Sequence, residues 1–263
     1  MKTKISLNDI STHETILLYG KPKIGKTWAY CSALEKCLNS GGNVFLVNTD
    51  NGVKRTLQQY LGDRFKEFAT KINYYLITDI DDVEEIIKDV KTNVKHNDLI
   101  IIDLISDFWE MAQSKFVENL SGGKVVDYYE RASRDKSKFG LLAGQQWQYV
   151  KKLDNMIINQ LVIRPPCKVI AVASGREIEL DRIHNNKEIV DRFDNIGEKP
   201  SGQRELQYKF NTIIYIGELK EKKYFIVLGD RGKFVNQKRV GYGKDFWSSF
   251  NAFRKKEKGA QSE

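Results

Sequence analysis

Eight residues constrain this chain more than any others: Gly20-Lys21-Pro22-Lys23-Ile24-Gly25-Lys26-Thr27. An apolar run, Thr15 to Tyr19, leads into them, and a helical pattern from Lys26 to about Asn39 leads out. A glycine-bearing loop between a buried strand and a helix can wrap its backbone around an anion, because glycine lacks the Cβ that would hold it off and the helix start presents unpaired N–H groups. The spacing G-x-x-x-x-G-K-[ST] is that of a P-loop, whose lysine bridges β and γ phosphate oxygens and whose hydroxyl ligates Mg²⁺. Gly20, Lys21, Pro22, Lys23, Ile24, Gly25, Lys26, Thr27 and Trp28 are therefore the expected cradle, with ATP and Mg²⁺ as cofactors and Thr27 on the metal. Pro22 has no N–H, so its neighbours must supply the donors.

The strand-loop-helix unit is followed by others of its kind. Ser40-Gly41-Gly42 ends the first helix, Val44 to Asn48 reads as a strand, and a polar, helix-compatible stretch runs to about Lys66. A third strand at Ile72 to Ile77 leads into Asp79 to Val94, where Val83, Ile86, Ile87 and Val90 share a helical face, and then into the strand Leu99 to Asp103. Continuous apolar strands point to a parallel sheet buried on both faces. Asp107 to Gly144 shows no clean period and predicts helices broken by a mobile loop around Ser121-Gly122-Gly123. Trp147 to Leu161 predicts a helix and Lys168 to Ala173 a strand; Gly175 to Gln203 is a polar segment too long for an idle connection. Asn211 to Ile216 and Tyr224 to Leu228 read as a closing hairpin, and Gly243 to Lys258 as a helix with a basic tail. The expected fold is α/β, a P-loop core with a mostly parallel sheet flanked by helices and a C-terminal hairpin. We expect one domain over 1–263, with its core at about 14–233 and the basic helix and tail at about 243–263.

Composition excludes several alternatives. The chain is 41% apolar and 30% charged, enough to bury a core and too apolar for disorder. Its longest apolar runs fall far short of the ~20 residues of a membrane span, and the amino terminus lacks a secretory apolar core, so a cytoplasmic protein with no membrane partner is expected. Cys31, Cys37 and Cys167 have no paired spacing, and His13, His96 and His184 stand alone, so neither zinc nor disulfide chemistry is indicated.

A P-loop needs a carboxylate at a nearby strand end to hold the metal's water shell, and Asp103 closes the run Leu99-Ile100-Ile101-Ile102. Leu104 follows it, where many ATPases of the AAA type carry a glutamate base. Asp50 closes the second strand, and a strand next to the P-loop strand would bring its carboxylate to the γ-phosphate, to orient the attacking water. Asp50-Asn51-Gly52 also has the chemistry of a turn.

From about Thr15 to Lys233 the chain resembles the RecA/RadA-like ATPases, and among them the compact single-domain recombinase or annealing ATPases of phages and other viruses. The matching stretches are Leu18 to Thr27, Val47-Asn48-Thr49-Asp50, Ile100 to Asp103 with Trp109-Glu110, and Gly202-Gln203-Arg204-Glu205-Leu206 leading into Phe210. The resemblance implies catalytic roles for Lys26, Asp50, Asp103 and Ser174. Asp50 stands where the family usually has a glutamate base, Leu104 where serine is common, and Ser174 where RecA has a glutamine sensor of γ-phosphate. It also implies that Arg231 and Lys233 reach the nucleotide of a neighbouring subunit in a ring or filament. The segment Gly175 to Gln203 would then grip DNA, with Arg176, Arg182, Lys187 and Arg192, together with Arg204 just beyond it, as contacts.

The charge distribution agrees with a polyanionic partner. Of the net +8, Lys199 to Lys258 supplies fifteen Lys or Arg against six Asp or Glu. Tyr128, Tyr129, Phe139, Trp147, Tyr242 and Trp247 are candidate base-stacking residues. The leading expectation is a DNA-stimulated ATPase acting on DNA, single-stranded first, in recombination, annealing or replication, with a possible protein partner there. A DNA motor, helicase loader or packaging ATPase is an alternative. A nucleotide-gated binding protein with little turnover is another, and a small-molecule kinase a weaker one.

Overall fold

The computed structural model describes residues 13–50, 52–122, 130, 144–231 and 236–259. Its strands are β1 (Thr15–Gly20), β2 (Val44–Asn48), β3 (Ile72–Leu76), β4 (Leu99–Asp103), β5 (Lys168–Glu177), β6 (Glu198–Pro200), β7 (Thr212–Leu219), β8 (Lys222–Asp230) and β9 (Asn236–Gly241). They form a sheet in the order β3-β2-β4-β5-β1-β7-β8-β9, with β6 paired to β5. β3 through β7 run parallel, and β8 and β9 add antiparallel strands at one edge.

Alternation along the strands builds two cores. Leu17, Tyr19, Phe45, Val47, Ile100, Ile102, Val169 and Ala171 face one side. There they meet α4 (Asp82–Asn93), α5 (Ser106–Ser121), α6 (Gly144–Ile158) and a π turn over Asn159–Ile163. Ile16, Leu18, Val44, Leu46, Leu99, Ile101, Ile170 and Val172 face the other. That side meets α1 (Lys26–Asn39), α2 (Val53–Leu61), α3 (Phe65–Ala69) and α9 (Phe246–Gly259). Helices on both faces explain why the central strands are apolar throughout. β3 is the outer strand on its side, and Tyr74 and Leu76 stay exposed there.

Two sequence expectations change. Neither the Asp50 strand nor the Asp103 strand adjoins the P-loop strand: β1 pairs with β5 and β7, while β2 pairs with β3 and β4. The stretch after Asp107 opens in one of the expected helices, where Phe108, Ala112 and Phe116 recur at i, i+4 and i+8 beneath its charges and pack into the core. Of the mobile-loop expectation, Gly123 lies outside the described residues.

The segment 175–203 is folded rather than an open loop. β5 continues to Glu177, and α7 (Glu179–Ile183), α8 (Lys187–Phe193) and β6 follow. Ile189 and Phe193 drop into the core, where Phe193 meets Tyr19 edge to face at 6.0 Å. β6 returns antiparallel to β5, pairing Gly175 with Pro200. Lys199 pairs with Asp181 in a buried ion pair. Burial pushes the Asp181 carboxyl up, but the Lys199 ammonium outweighs it and holds the group below the usual range. The three cysteines are free thiols. No helix among the described residues is long and apolar enough to cross a membrane.

Candidate nucleotide site

β1 ends at Gly20, where a Cβ would come within 2.4 Å of the Ile216 carbonyl oxygen of β7, so only glycine lets the two strands pair to the end. The loop closes at Gly25, whose φ of 99° precedes the first turn of α1. Lys23 also takes a positive φ, 61°, so the loop backbone reverses around a small space. Lys26 is buried, and its Nζ donates to the carbonyls of Gly20 at 2.7 Å and Lys21 at 2.8 Å. Burial lowers the Lys26 pKa, opposed by the charges of Asp103 and Glu198. Lys21 points away to Glu198, at 3.2 Å.

A cavity of about 410 Å³ opens beside the loop, lined by Lys26, Thr27, Asp50, Asp103, Ser174 and Lys223. Pro22, Lys23, Gly25 and Trp28 complete the P-loop side, with Trp28 edge to face on Tyr60 at 4.9 Å. Ile24 packs into the α1 core instead. A larger hollow, about 590 Å³, lies over Arg192, Tyr208 and Arg231 and contains none of the P-loop residues.

Asp103 Oδ2 accepts hydrogen bonds from Thr27 Oγ1 at 3.2 Å and from the Tyr30 hydroxyl at 3.0 Å. Burial pushes the Asp103 carboxyl up to about 6; Tyr30, Thr27 and Lys26 pull it down, and Asp50 pushes it further up. Sequence reasoning missed Tyr30. Its signal was the i, i+3 spacing from Thr27, which puts both hydroxyls on one face of α1.

Asp50 reaches the cavity across two intervening strands. Its Oδ1 also accepts the Gly52 N–H at 2.7 Å, so the turn foreseen in the sequence forms as well. Thr49 ties the two strand ends together. Its N–H donates to the Asp103 carbonyl at 2.8 Å, its hydroxyl donates to Asp107 Oδ2 at 2.6 Å, and its Oγ1 accepts the Leu104 N–H at 3.0 Å. Ser174 lies opposite Gly20 in the β1–β5 register.

These residues fit a phosphate with a divalent cation. Among the described residues no group of three or more His, Cys, Asp or Glu could hold a metal ion by itself. One hydroxyl and one carboxylate meeting at the end of a P-loop suit Mg²⁺, which shares its shell with water and phosphate oxygens.

The other sequence candidates are scattered. Arg231 donates to the Tyr208 carbonyl and to that of Asn211, at the end of β8 remote from the P-loop; Lys233 lies outside the described residues. Arg182 pairs with Glu179 and Asp194, Arg192 covers the Tyr208 ring, and Arg204 donates to Asn186. Arg176 and Lys187 are exposed. Of the aromatic candidates, Trp147 stacks on Trp109 at 5.9 Å, Tyr242 packs on Phe246, and Trp247 is buried beneath Lys168, so none is an open platform. Tyr128, Tyr129 and Phe139 lie outside the described residues. In the basic tail, Arg254 is spent on Glu14 and Asp230.

Residues 12–245 match a family model described as an AAA domain. No curated protein matches the chain.

Proposed function

The chain belongs to the AAA domain family, and from that premise we propose that it is a Mg²⁺-dependent ATPase of the RecA-like kind that acts on DNA, single strands first. The observation that carries the nucleotide reading is the meeting of Thr27 and Asp103 at the mouth of the P-loop. The closing hairpin read from Asn211 to Ile216 and Tyr224 to Leu228 forms as β7 and β8, with β7 parallel to β1 and β8 antiparallel beyond it.

On this reading the loop amides and Lys26 would bind the nucleotide's phosphates, and Thr27 and Asp103 would hold Mg²⁺. When bound, the ion offsets phosphate charge and favours departure of the diphosphate. Tyr30 keeps the Asp103 carboxylate turned toward Thr27. Asp50 orients the attacking water, and Ser174, on β5 beside Gly20, senses the terminal phosphate.

Support for DNA comes from the end of the sheet that carries the P-loop. β5 runs past the loop to Arg176, and Leu180 and Ile183 stand exposed on α7 just beyond. Apolar side chains beside cations are the arrangement that unstacks bases while neutralising phosphates. Lys220 and Lys222, at the β7–β8 turn, are exposed at the same end. The proposal includes assembly into a ring or filament, with Arg231 serving a neighbour's nucleotide.

A second reading, a nucleotide-gated binding protein with little turnover, is favoured by the bond that ties Asp50 to Gly52. One experiment separates the two: ATP hydrolysis by wild type and Asp50→Asn, with and without single-stranded or duplex DNA, at two salt concentrations. The ATPase reading expects single strands to raise turnover, salt to remove the effect, and Asp50→Asn to cut turnover about 10²-fold or more with ATP binding intact. A low rate that ignores both DNA and the substitution sinks it in favour of the switch.

A further inference from the structure

Lys223 is a charged residue of the cavity that no motif announces. It lies on β8, opposite Glu218 of β7 in the hairpin register and almost two hundred residues from the P-loop. Its side chain lies along the loop's last glycine: a Cβ on Gly25 would come within 2.4 Å of the Lys223 Nζ, 3.2 Å of its Cε and 3.5 Å of its Cδ. The side chain is half-buried, and no ion pair joins it to Glu218, to Glu221 or to another acid among the described residues.

Three ammonium groups line the cavity, those of Lys23, Lys26 and Lys223, and the last two stand at opposite ends of the P-loop. Lys26 is held at Gly20 and Lys21, and Lys223 at Gly25. Lys26 spends two donors on loop carbonyls. Lys223 makes no side-chain hydrogen bond among those found for the described residues, so its three donors are open to a ligand. A partly desolvated cation without a counter-charge is costly unless an anion meets it. The hairpin that carries it is regular: Lys220 and Glu221 form its two-residue turn, both at positive φ, and the Tyr242 N–H, one residue past β9, donates to the Lys223 carbonyl at 3.1 Å.

We propose that Lys223 is a second phosphate-binding cation of this site, supplied by the same chain, which closes the cradle over Gly25 and grips the phosphate chain of a nucleoside di- or triphosphate from the side opposite Lys26. The proposal rests on the nucleotide reading above. It adds that the β7–β8 hairpin is a wall of the site, so that the nucleotide is held between the first and the last quarter of the chain.

The test is titration of fluorescent ATP and ADP into wild type, Lys26→Ala, Lys223→Ala, Lys223→Arg and, as a surface control, Lys91→Ala. Loss of a charge-assisted phosphate contact is expected to weaken binding of both nucleotides about tenfold or more in Lys223→Ala. Lys223→Arg keeps most of the affinity and Lys91→Ala all of it. Wild-type affinity in a folded Lys223→Ala, alongside loss in Lys26→Ala, overturns this inference and leaves the nucleotide reading standing. Absence of binding in wild type overturns both. Should Lys223→Ala fail to fold, acetylation of the wild-type chain read by mass spectrometry decides: ATP should shield Lys223 and leave Lys91 reactive, and equal labelling with and without ATP overturns the proposal.

Discussion

Two cation-bearing regions of the molecule differ in how the structure pairs their charges. The segment from Arg176 to Arg204 is rich in cations, yet Arg182, Arg192, Arg204 and Lys199 are each committed to an acid, a ring or an amide nearby. At the P-loop end, Lys23 and the hairpin lysines Lys220, Lys222 and Lys223 have no acidic partner among the described residues. The first region folded, and folding drew its own acids onto its cations: Glu179 meets Arg182 one helical turn on, and Asp194 returns to it from the end of α8. The second is a loop and a two-residue turn, where among these residues Lys21 alone meets an acid, Glu198. What a polyanion meets is therefore set by the pairing of charges rather than their number.

The largest expected effect lies at the P-loop end. Asp103→Asn should cut Mg²⁺-dependent hydrolysis by about 10²-fold or more, measured as turnover against Mg²⁺ concentration. The same group sets a pH limit. Because burial pushes Asp103 up to about 6, its carboxylate takes up a proton as pH falls through that value, so Mg²⁺-nucleotide affinity should drop between pH 7 and pH 5. Stability moves the other way. A carboxyl with a raised folded pKa favours the folded state fully below its ordinary value near 3.8, and loses that contribution as pH rises through 6. An affinity flat across this range would remove Asp103 from the metal site.

The middle effect tests the comparison itself. Lys220→Glu with Lys222→Glu should weaken binding to single-stranded DNA about tenfold at low salt and lower the salt slope by roughly two. Arg182→Ala and Arg192→Ala should leave affinity within about twofold, since those side chains are already engaged. The reverse outcome, read by fluorescence anisotropy, would place the interface on the folded segment.

The smallest effect is on a buried carboxyl of α6. Asp154 of α6 is buried, its Oδ2 has no hydrogen-bond partner, and burial pushes it up to about 7 against the opposing charge of Lys209. Its contribution to stability is present below about pH 4 and lost as pH rises through 7. Asp154→Asn should therefore raise the unfolding temperature by a few degrees at pH 8 relative to pH 5, at about 2–4 °C per kcal/mol. Parallel pH profiles for the two proteins would count against a charged Asp154 in the core.

Much of the fold was legible. β1, α1, β2 and β4 fall where apolar runs, glycine stops and helical spacing put them, because each is a local pattern with one solution. The helices of 179–193 were not legible, since five- and seven-residue helices made mostly of polar residues carry too few apolar positions to show a period. Tyr30 was overlooked because a tyrosine near a helix start reads as core until the carboxylate it holds is known.

By itself the sequence determined the P-loop, the strands and helices around it and the apolar alternation of a sheet covered on both faces, since each depends on neighbours within a few residues. The tertiary structure decided the strand order, which sets β5 between the loop and Asp103 and still brings Asp50 to the cavity. It also decided which cations are paired and that Lys223 lies against Gly25. Those contacts join residues far apart in the chain, and they form only once burial of both sheet faces has fixed which strand lies beside which.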